Sequence, residues 1–227
     1  MANHQYQATG LLQLTKITPV IEALFGVYSV QEHENVGEAY IKLASYESVA
    51  SASALGDHIN DTFLNSVLPY DSESDPVTVV IGAMAEKLGK TKEVEQVLSK
   101  HEKYMPQKHD EVSLSLLFDL AQAMDDGHGL STLTYNGAWT CDKLRVDCFG
   151  GDGEFQGKHF SLISGSYLAR NIGPTVNDAI DAGNLNAAAV EIAAYFNRFM
   201  HNVTDPAIRQ AITYRVVPLV LNANQGQ

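Results

Sequence analysis

The sequence predicts an α+β protein whose two halves each combine helices with antiparallel strands. Several stretches repeat apolar residues at three- and four-residue spacing, which indicates amphipathic helices. Other stretches alternate apolar and polar residues, or are rich in β-branched and aromatic residues, which favours strands. We therefore predict an antiparallel β-hairpin plus helices in the first half, and a three-stranded antiparallel meander plus C-terminal helices in the second half.

The first half is predicted to open with a short helix and the hairpin. Thr18-Pro19 suits a helix start, because threonine is a cap residue and proline is favoured at the first helical position. Residues 24–30 favour a strand, and residues 38–43 alternate between an apolar and a polar face. A loop containing Gly37 would join these two strands.

Helices are predicted for the rest of the first half. A helix-prone stretch covers about residues 47–67. Asp75-Pro76 indicates the start of the next helix and Gly89 its end. Thr91 and Asp110 are candidate caps for two more helices, and the short turns between these last three predict a helical layer.

The second half is predicted to contain three strands and then helices. The strands cover residues 130–141, 144–149 and 155–164, with the glycine run Gly150-Gly151-Asp152-Gly153 as the turn between the last two. One C-terminal helix is predicted to start near Asn184, and another at Asp205-Pro206, ending before Pro218. We predict one domain over residues 1–227, with a subdivision into an acidic, mostly helical part (1–126) and a meander with helices (127–227).

Negative charge is concentrated in the first part of the chain. The formal net charge of the 227 residues is −12, and residues 1–130 carry 19 acidic against 8 basic side chains, hence −11. Such a field disfavours direct nucleic-acid binding, which depends on cations, and attracts a basic protein partner. The alternative is that the acidity only keeps the protein soluble.

No known catalytic or metal-binding motif is complete in the sequence, and no cofactor is predicted. Gly89-Lys90-Thr91 lacks the first glycine of a phosphate-binding loop. Residues 149–155 resemble the Gly-Gly-Asp-Glu-Phe turn of diguanylate cyclases, but an inserted glycine shifts the register, so that activity is not carried over. Cys141 and Cys148 are spaced too widely for a zinc knuckle; a composite site with His128 and His159 is geometrically conceivable.

One cluster supports a functional hypothesis. Residues 125–129 (Asp-Asp-Gly-His-Gly) place two acids at the predicted C-terminal end of a helix, where the helix dipole disfavours them. If the protein is an enzyme or ligand sensor, a histidine would act as general base, and the acids would orient it or hold a divalent cation. The alternative is a purely local turn in which His128 bonds backbone carbonyls. The candidate residues are Asp126, His128, Asp152, Glu154 and His159, with Trp139, Lys143 and Arg145 as further lining.

The sequence also resembles a group of uncharacterised proteins. Residues 118–122, 125–130, 137–141 and 150–155, with 23–26 and 37–41, are similar to accessory proteins carried on bacterial conjugative plasmids and integrative elements. No activity is known for that family, so the resemblance implies a setting and no functional residue.

These observations favour a non-enzymatic acidic binding protein of a mobile element. Its sharpest form is an inhibitor of a host nucleic-acid-handling or defence system that presents a charge-complementary surface. We expect no membrane segment, because no stretch approaches the roughly 18 uninterrupted apolar residues that a membrane helix needs. We expect no secretion signal, because residues 1–7 are polar and lack Lys and Arg. A cytoplasmic location would keep both cysteines as thiols. The apolar C-terminal helices, with Tyr195, Phe196, Phe199 and Met200, are a candidate homodimer face.

Overall fold

The protein consists of helices and antiparallel strands in two compact units. The computed structural model describes residues 4–34, 37–44, 51–65, 76–102, 112–141 and 149–223. Residue contacts divide the chain into Met1–Phe149, here called the first unit, and Gly150–Gln227, the second unit. Each unit contains both kinds of element, so the predicted α+β class is confirmed.

The first unit combines an antiparallel sheet with a group of helices. Its strands lie in the order β2-β3-β1-β4, and a 3-10 turn at Gly26–Tyr28 follows the first helix. In chain order its elements are β1 (His4–Gln13), α1 (Pro19–Phe25), β2 (Gln31–Glu32), β3 (Glu38–Ala44), α2 (Ala52–Thr62), α3 (Pro76–Leu88), α4 (Thr91–His101), α5 (Leu114–Ala123) and β4 (Thr132–Cys141).

Strand β1 lies between β3 and β4, and we did not predict it from the sequence. Its residues alternate in burial, with Ala8, Gly10 and Leu12 on the buried face. A Cβ added at Gly10 would lie 2.6 Å from Cγ1 of Ile41, so glycine is needed for β3 to pack there. Because two of these inward residues are so small, the hydrophobic alternation that marks a strand is weak.

A hairpin with β3 exists as predicted, but its first strand is the two-residue β2, which lies after the predicted strand, in the stretch expected to be the loop. β2 covers only two residues and pairs with β3, whose Ala39 and Ile41 are buried as the alternation indicated. The stretch 24–30, predicted as strand, instead completes α1 and the 3-10 turn. The buried side chains of Leu24, Phe25 and Tyr28 follow helical spacing, and their packing outweighs β-propensity.

The helix boundaries agree with the predictions in part. Pro76 begins α3, and Gly89, with a φ of +67°, ends it. Thr91 is the first residue of α4 and Lys90 holds the cap position, so the predicted cap is one residue off. The hydroxyl of Ser113 caps α5 by accepting a bond from the N–H of Leu116, at 3.3 Å. The predicted cap Asp110 lies outside the described residues, and the helix predicted over 47–67 is described only as α2.

The first unit holds nearly all of the core. Of the 35 buried hydrophobic residues in the described chain, 32 lie before residue 150. All 31 members of the continuous hydrophobic cluster belong to this unit, including Leu12, Ile41 and Leu133 from the sheet and Phe25 and Phe118 from the helices. The first unit therefore buries enough apolar surface to specify its own fold.

The second unit contains an antiparallel hairpin and three helices. Its elements are β5 (Gly150–Gly157), β6 (Ser161–Gly165), α6 (Tyr167–Asp181), α7 (Leu185–His201) and α8 (Pro206–Ala223). The glycine run predicted as a turn lies within β5, and the hairpin turns instead at residues 158–159, inside the strand predicted over 155–164. Residues 144–148 of the other predicted strand lie outside the described residues. Local turn propensity was overridden here by strand pairing.

The C-terminal helices show how weakly proline and glycine decide helix boundaries. Asn184 caps α7 as predicted, its side chain accepting a bond from Ala187 N–H at 3.0 Å. Helix α6 was not predicted, because Gly173-Pro174 is a typical turn signal. Helix α8 continues through Pro218, contrary to the predicted end, since a proline removes only one backbone bond and this part of the helix is exposed.

Cys141, at the end of β4, is disulfide-bonded. The chain's only other cysteine, Cys148, lies outside the described residues. The prediction of two thiols is therefore wrong for Cys141.

Among the described residues, no helix combines the length and the apolar character that crossing a bilayer requires.

Candidate functional site

The turn from α5 to β4 owes its two glycines to backbone geometry. Gly127 and Gly129 have φ values of +98° and +57°, in the left-handed region that side chains disfavour. A Cβ at Gly129 would also lie 2.5 Å from Oγ1 of Thr15. The backbone N–H of Thr15 donates to the carbonyl of His128 at 2.7 Å, so the turn is held against the segment after β1.

His128 is a buried structural residue whose two ring nitrogens are both engaged. Its side chain is 1% exposed. Nδ1 accepts a bond from Leu130 N–H at 2.8 Å, and Nε2 donates to the carbonyl of Ala121 at 3.0 Å. A backbone N–H can only donate and a carbonyl can only accept, so the ring is neutral and carries its proton on Nε2. No lone pair is left for a substrate proton or a metal ion.

Asp126 caps a helix that begins 107 residues earlier in the chain, at Pro19. One carboxylate oxygen accepts a bond from the hydroxyl of Thr18 at 2.5 Å, and the other accepts from Val20 N–H at 3.3 Å. The acid that is unfavourable at the end of α5 therefore sits at the N-terminal end of α1, where the dipole favours it. Thr18 supplies no side-chain cap bond of its own.

Asp125 stabilises the same turn from its exposed side. Its Oδ1 accepts bonds from Gly127 N–H at 2.9 Å and Gly129 N–H at 3.3 Å. Slight burial by itself raises the pKa of Asp125, but the backbone N–H groups of Gly127, Gly129 and His128 outweigh it and hold the pKa below its ordinary value.

Asp125, Asp126 and His128 are the only described group of three ligand-type side chains close enough to surround one metal ion, with candidate atoms within 4.8 Å of one another. All three side chains already hold the turn together, since the acids bond backbone and hydroxyl donors and Nδ1 of His128 is occupied. The arrangement therefore fits the local-turn interpretation, and it offers no free ligand set without breaking these bonds.

The remaining predicted candidates belong to the second unit. Asp152 and Glu154 lie two residues apart on β5, hence on one face of the strand, and His159 lies in the exposed hairpin turn. Burial raises the pKa of Asp152, partly offset by a bond from its own backbone N–H. Glu154 accepts a bond from the side-chain amide of Gln156 at 2.6 Å. An enzymatic role for these residues stays a prediction.

The other proposed lining residues are not brought to this group by any described contact. Trp139 is half-buried on β4, opposite Tyr6 of β1. Lys143 and Arg145 lie outside the described residues.

The first unit carries two adjoining cavities that no sequence pattern indicated. Both are lined by Ile17 and Glu32, and their volumes are about 470 and about 210 Å³. We call them together the acidic cleft. The larger is also lined by Glu22, Gly26, Ser29, Val30 and His58, and the smaller by Leu14, Thr15, Lys16, His33, Glu34, Gly37 and Glu38.

Carboxylates dominate the charge of the acidic cleft. It is lined by four glutamates and one lysine, a formal charge of −3 with neutral histidines. Glu38 lies 3.3 Å from Nδ1 of His33. No ion pair within the described part of the chain involves Glu22, Glu32 or Glu34. These three carboxylates are therefore available to a cationic ligand.

The wall of the larger cavity is held by a histidine and a glycine. Nε2–H of His58, on α2, donates to the carbonyl of Glu22 on α1 at 3.0 Å. A Cβ at Gly26 would collide with this nitrogen, so glycine at 26 permits the contact. Nothing in the sequence spacing of His58 pointed to this contact with α1.

The sequence contained only a weak signal for the acidic cleft. Residues 31–35 are a short polar run with two glutamates and a histidine, which by itself indicates a loop. The cleft brings this run together with α1, α2 and the segment after β1, and such long-range proximity leaves no periodic pattern.

Comparison with known proteins identifies no relative: no protein-family model matches the chain, and neither a curated protein nor a solved structure matches it.

Proposed function

We propose that this protein is a non-enzymatic binding protein whose acidic cleft receives a basic segment of a protein partner. The observation that carries the proposal is the group of three glutamates, Glu22, Glu32 and Glu34, on one cleft with no cationic partner among the described residues. Lysine and arginine side chains are the complementary groups.

The charge of the whole first unit supports the same proposal. Residues 1–149 carry 21 acidic and 10 basic side chains, a net charge of −11. The ion pair between Lys100 and Asp119, at 2.6 Å, lies on α4 and α5, away from the residues that line the cleft. A field of one sign accelerates the encounter with an oppositely charged partner. In its most specific version, the proposal names as partner a host protein whose basic surface ordinarily binds nucleic acid.

The binding test uses a heptaarginine peptide and the full chain. We expect binding that weakens steeply as salt rises from low to physiological concentration. The double variant Glu22→Gln/Glu32→Gln should lose about tenfold in affinity, since two exposed charge pairs contribute up to about 1 kcal/mol each. The matched control is Glu93→Gln/Glu95→Gln on α4, which changes net charge equally and lies outside the cleft.

Two outcomes of this binding test would contradict the proposal. Equal losses of affinity in the two double variants would mean that the peptide responds to the total charge of the protein and does not bind the acidic cleft specifically. Binding that does not respond to salt would contradict the electrostatic basis altogether.

The proposed setting is a mobile-element accessory protein in a bacterial cytoplasm, and it rests on the sequence resemblance. The disulfide at Cys141 weighs against the cytoplasmic part of this proposal, because disulfides persist mainly in oxidising compartments. Alkylation of the protein directly in denatured extracts of its natural host, without reductant, followed by mass spectrometry, distinguishes a reducing from an oxidising compartment. Two alkylated cysteines per chain fit the cytoplasm, and none fits an oxidising compartment.

A further inference from the structure

The second unit exposes apolar side chains that a folded unit normally buries. Eleven of the fourteen large exposed hydrophobic residues of the described chain lie after residue 149, whereas only Ala188, Met200 and Val203 are buried there. Single exposed apolar residues are ordinary, but a set of this size on one small unit marks an interaction surface.

Helix α7 shows the pattern most clearly. Its apolar residues Leu185, Ala189, Ile192, Phe196 and Phe199 are separated alternately by four and three residues. Spacing of this kind forms the narrow seam along which one helix packs against another. Yet Leu185 is 67% exposed, Ile192 56% and Phe199 41%. We call these five residues the α7 stripe.

One end of the α7 stripe is anchored within its own unit. The ring of Phe199 lies 5.8 Å from the ring of Phe160, between centroids, beside the β5–β6 hairpin. The backbone N–H of Ser161 donates to the carbonyl of Asn202 at 3.0 Å. The helix is thus positioned by the hairpin, while Leu185 and Ile192 remain open to a partner.

We propose that the α7 stripe is the contact surface for a second copy of this chain. A stable interface needs about 800 Å² from each partner, which is more than the five residues of the stripe expose, so the contact extends from the stripe to other exposed apolar side chains of the second unit, which together offer on the order of 1,000 Å². A symmetric pairing lets each stripe cover the other, because the same apolar face occurs on both copies.

The charge distribution favours a second copy of the chain as the partner, and it places the contact on the second unit. Residues 150–227 carry six acidic and five basic side chains, so two second units do not repel each other strongly, whereas two first units, at −11 each, do. A membrane surface is disfavoured, because amphipathic helices that bind anionic lipid carry many lysines and arginines and the polar side of α7 has one acid, Glu191, and one arginine, Arg198.

The test measures the mass of the full chain by light scattering over a range of concentrations. The wild type should have twice the mass of one chain. Ile192→Asp should raise the dissociation constant by about 100-fold or more, because it puts a charge into the apolar contact. The matched control is Val190→Asp, since Val190 is 66% exposed on the same helix but lies about 140° around its axis from Leu185.

Two further measurements keep the test decisive. Circular dichroism checks that each variant is folded; if Ile192→Asp is not, Leu185→Glu replaces it, because an acid in the first helical turn is compatible with the helix dipole. Sedimentation with phosphatidylglycerol vesicles tests the membrane.

Three results overturn the proposal: a single-chain mass for the wild type at every concentration, equal weakening by Val190→Asp, or vesicle binding that Ile192→Asp abolishes. The proposal is independent of the acidic cleft, which is tested by peptide binding to the first unit.

Discussion

The two units differ in how much of their apolar side-chain surface they bury. The first unit encloses a continuous core, with Phe25, Leu12 and Phe118 almost fully buried, and its exposed surface is acidic. The second unit is close to neutral, buries three hydrophobic residues among those that the structure describes, and exposes a helical stripe. The comparison shows that the first unit is specified by contacts within the chain, whereas the second leaves exposed the apolar side chains that the proposed second copy would cover.

The largest expected difference between the units concerns two histidines. His128→Ala should destabilise the first unit by about 3 kcal/mol, because it opens a cavity and leaves Leu130 N–H and the Ala121 carbonyl without partners. His159→Ala, in the exposed turn of the second unit, should change stability by less than about 0.5 kcal/mol. Urea unfolding followed by fluorescence of Trp139, the only tryptophan, reports on the first unit.

A small effect of His128→Ala would show that the ring is not held by the bonds described above. The structural interpretation of the turn at residues 125–129 would then lose its basis.

A smaller difference is expected between two helix caps. Asp126→Ala removes the bonds to Thr18 and Val20 in a partly buried place, and should cost about 2 kcal/mol. Asp205→Ala removes the cap of α8, where the carboxylate accepts bonds from Ala207 N–H at 2.7 Å and Ile208 N–H at 3.2 Å. This exposed cap should contribute about 1 kcal/mol or less. Thermal unfolding by circular dichroism measures both, and a larger loss for Asp205→Ala would reverse the comparison.

The smallest effects are expected from two acids, and they should have opposite signs. The pKa of Asp125 is lowered in the folded state, so this residue stabilises the fold above its unfolded pKa, about 3.9, and the contribution disappears as pH falls through the folded pKa. The pKa of Asp152 is raised by burial, so its contribution opposes folding once pH exceeds the folded pKa.

At neutral pH, Asp125→Asn should therefore lower stability and Asp152→Asn should raise it, each by less than about 1 kcal/mol because both sites are partly exposed. Asp125→Asn should match the wild type only below the folded pKa of Asp125, whereas Asp152→Asn should match it below the unfolded pKa of Asp152. Denaturation curves at neutral and acid pH test both signs, and effects of the same sign would contradict the assignment.

Several local elements were predictable from the sequence, although β1 and α6 were not. Pro76 and Gly89 mark the ends of α3, Asn184 caps α7, and the alternation of β3 correctly indicated its buried Ala39 and Ile41. Cap residues, glycine at positive φ and two-residue alternation act over a few neighbouring residues, so they can be recognised in the sequence alone. The concentration of negative charge before residue 150 is likewise a property of the sequence.

The tertiary structure decided the contacts between residues that lie far apart in the sequence. Asp126 serves a helix more than a hundred residues away, Gly10 makes room for Ile41, and Glu22 and Glu32 meet across one cleft. The same periodic stripe that would be core in a self-sufficient unit is exposed on α7. Periodicity shows that a helix has an apolar face, but what covers that face depends on contacts between distant residues or separate chains.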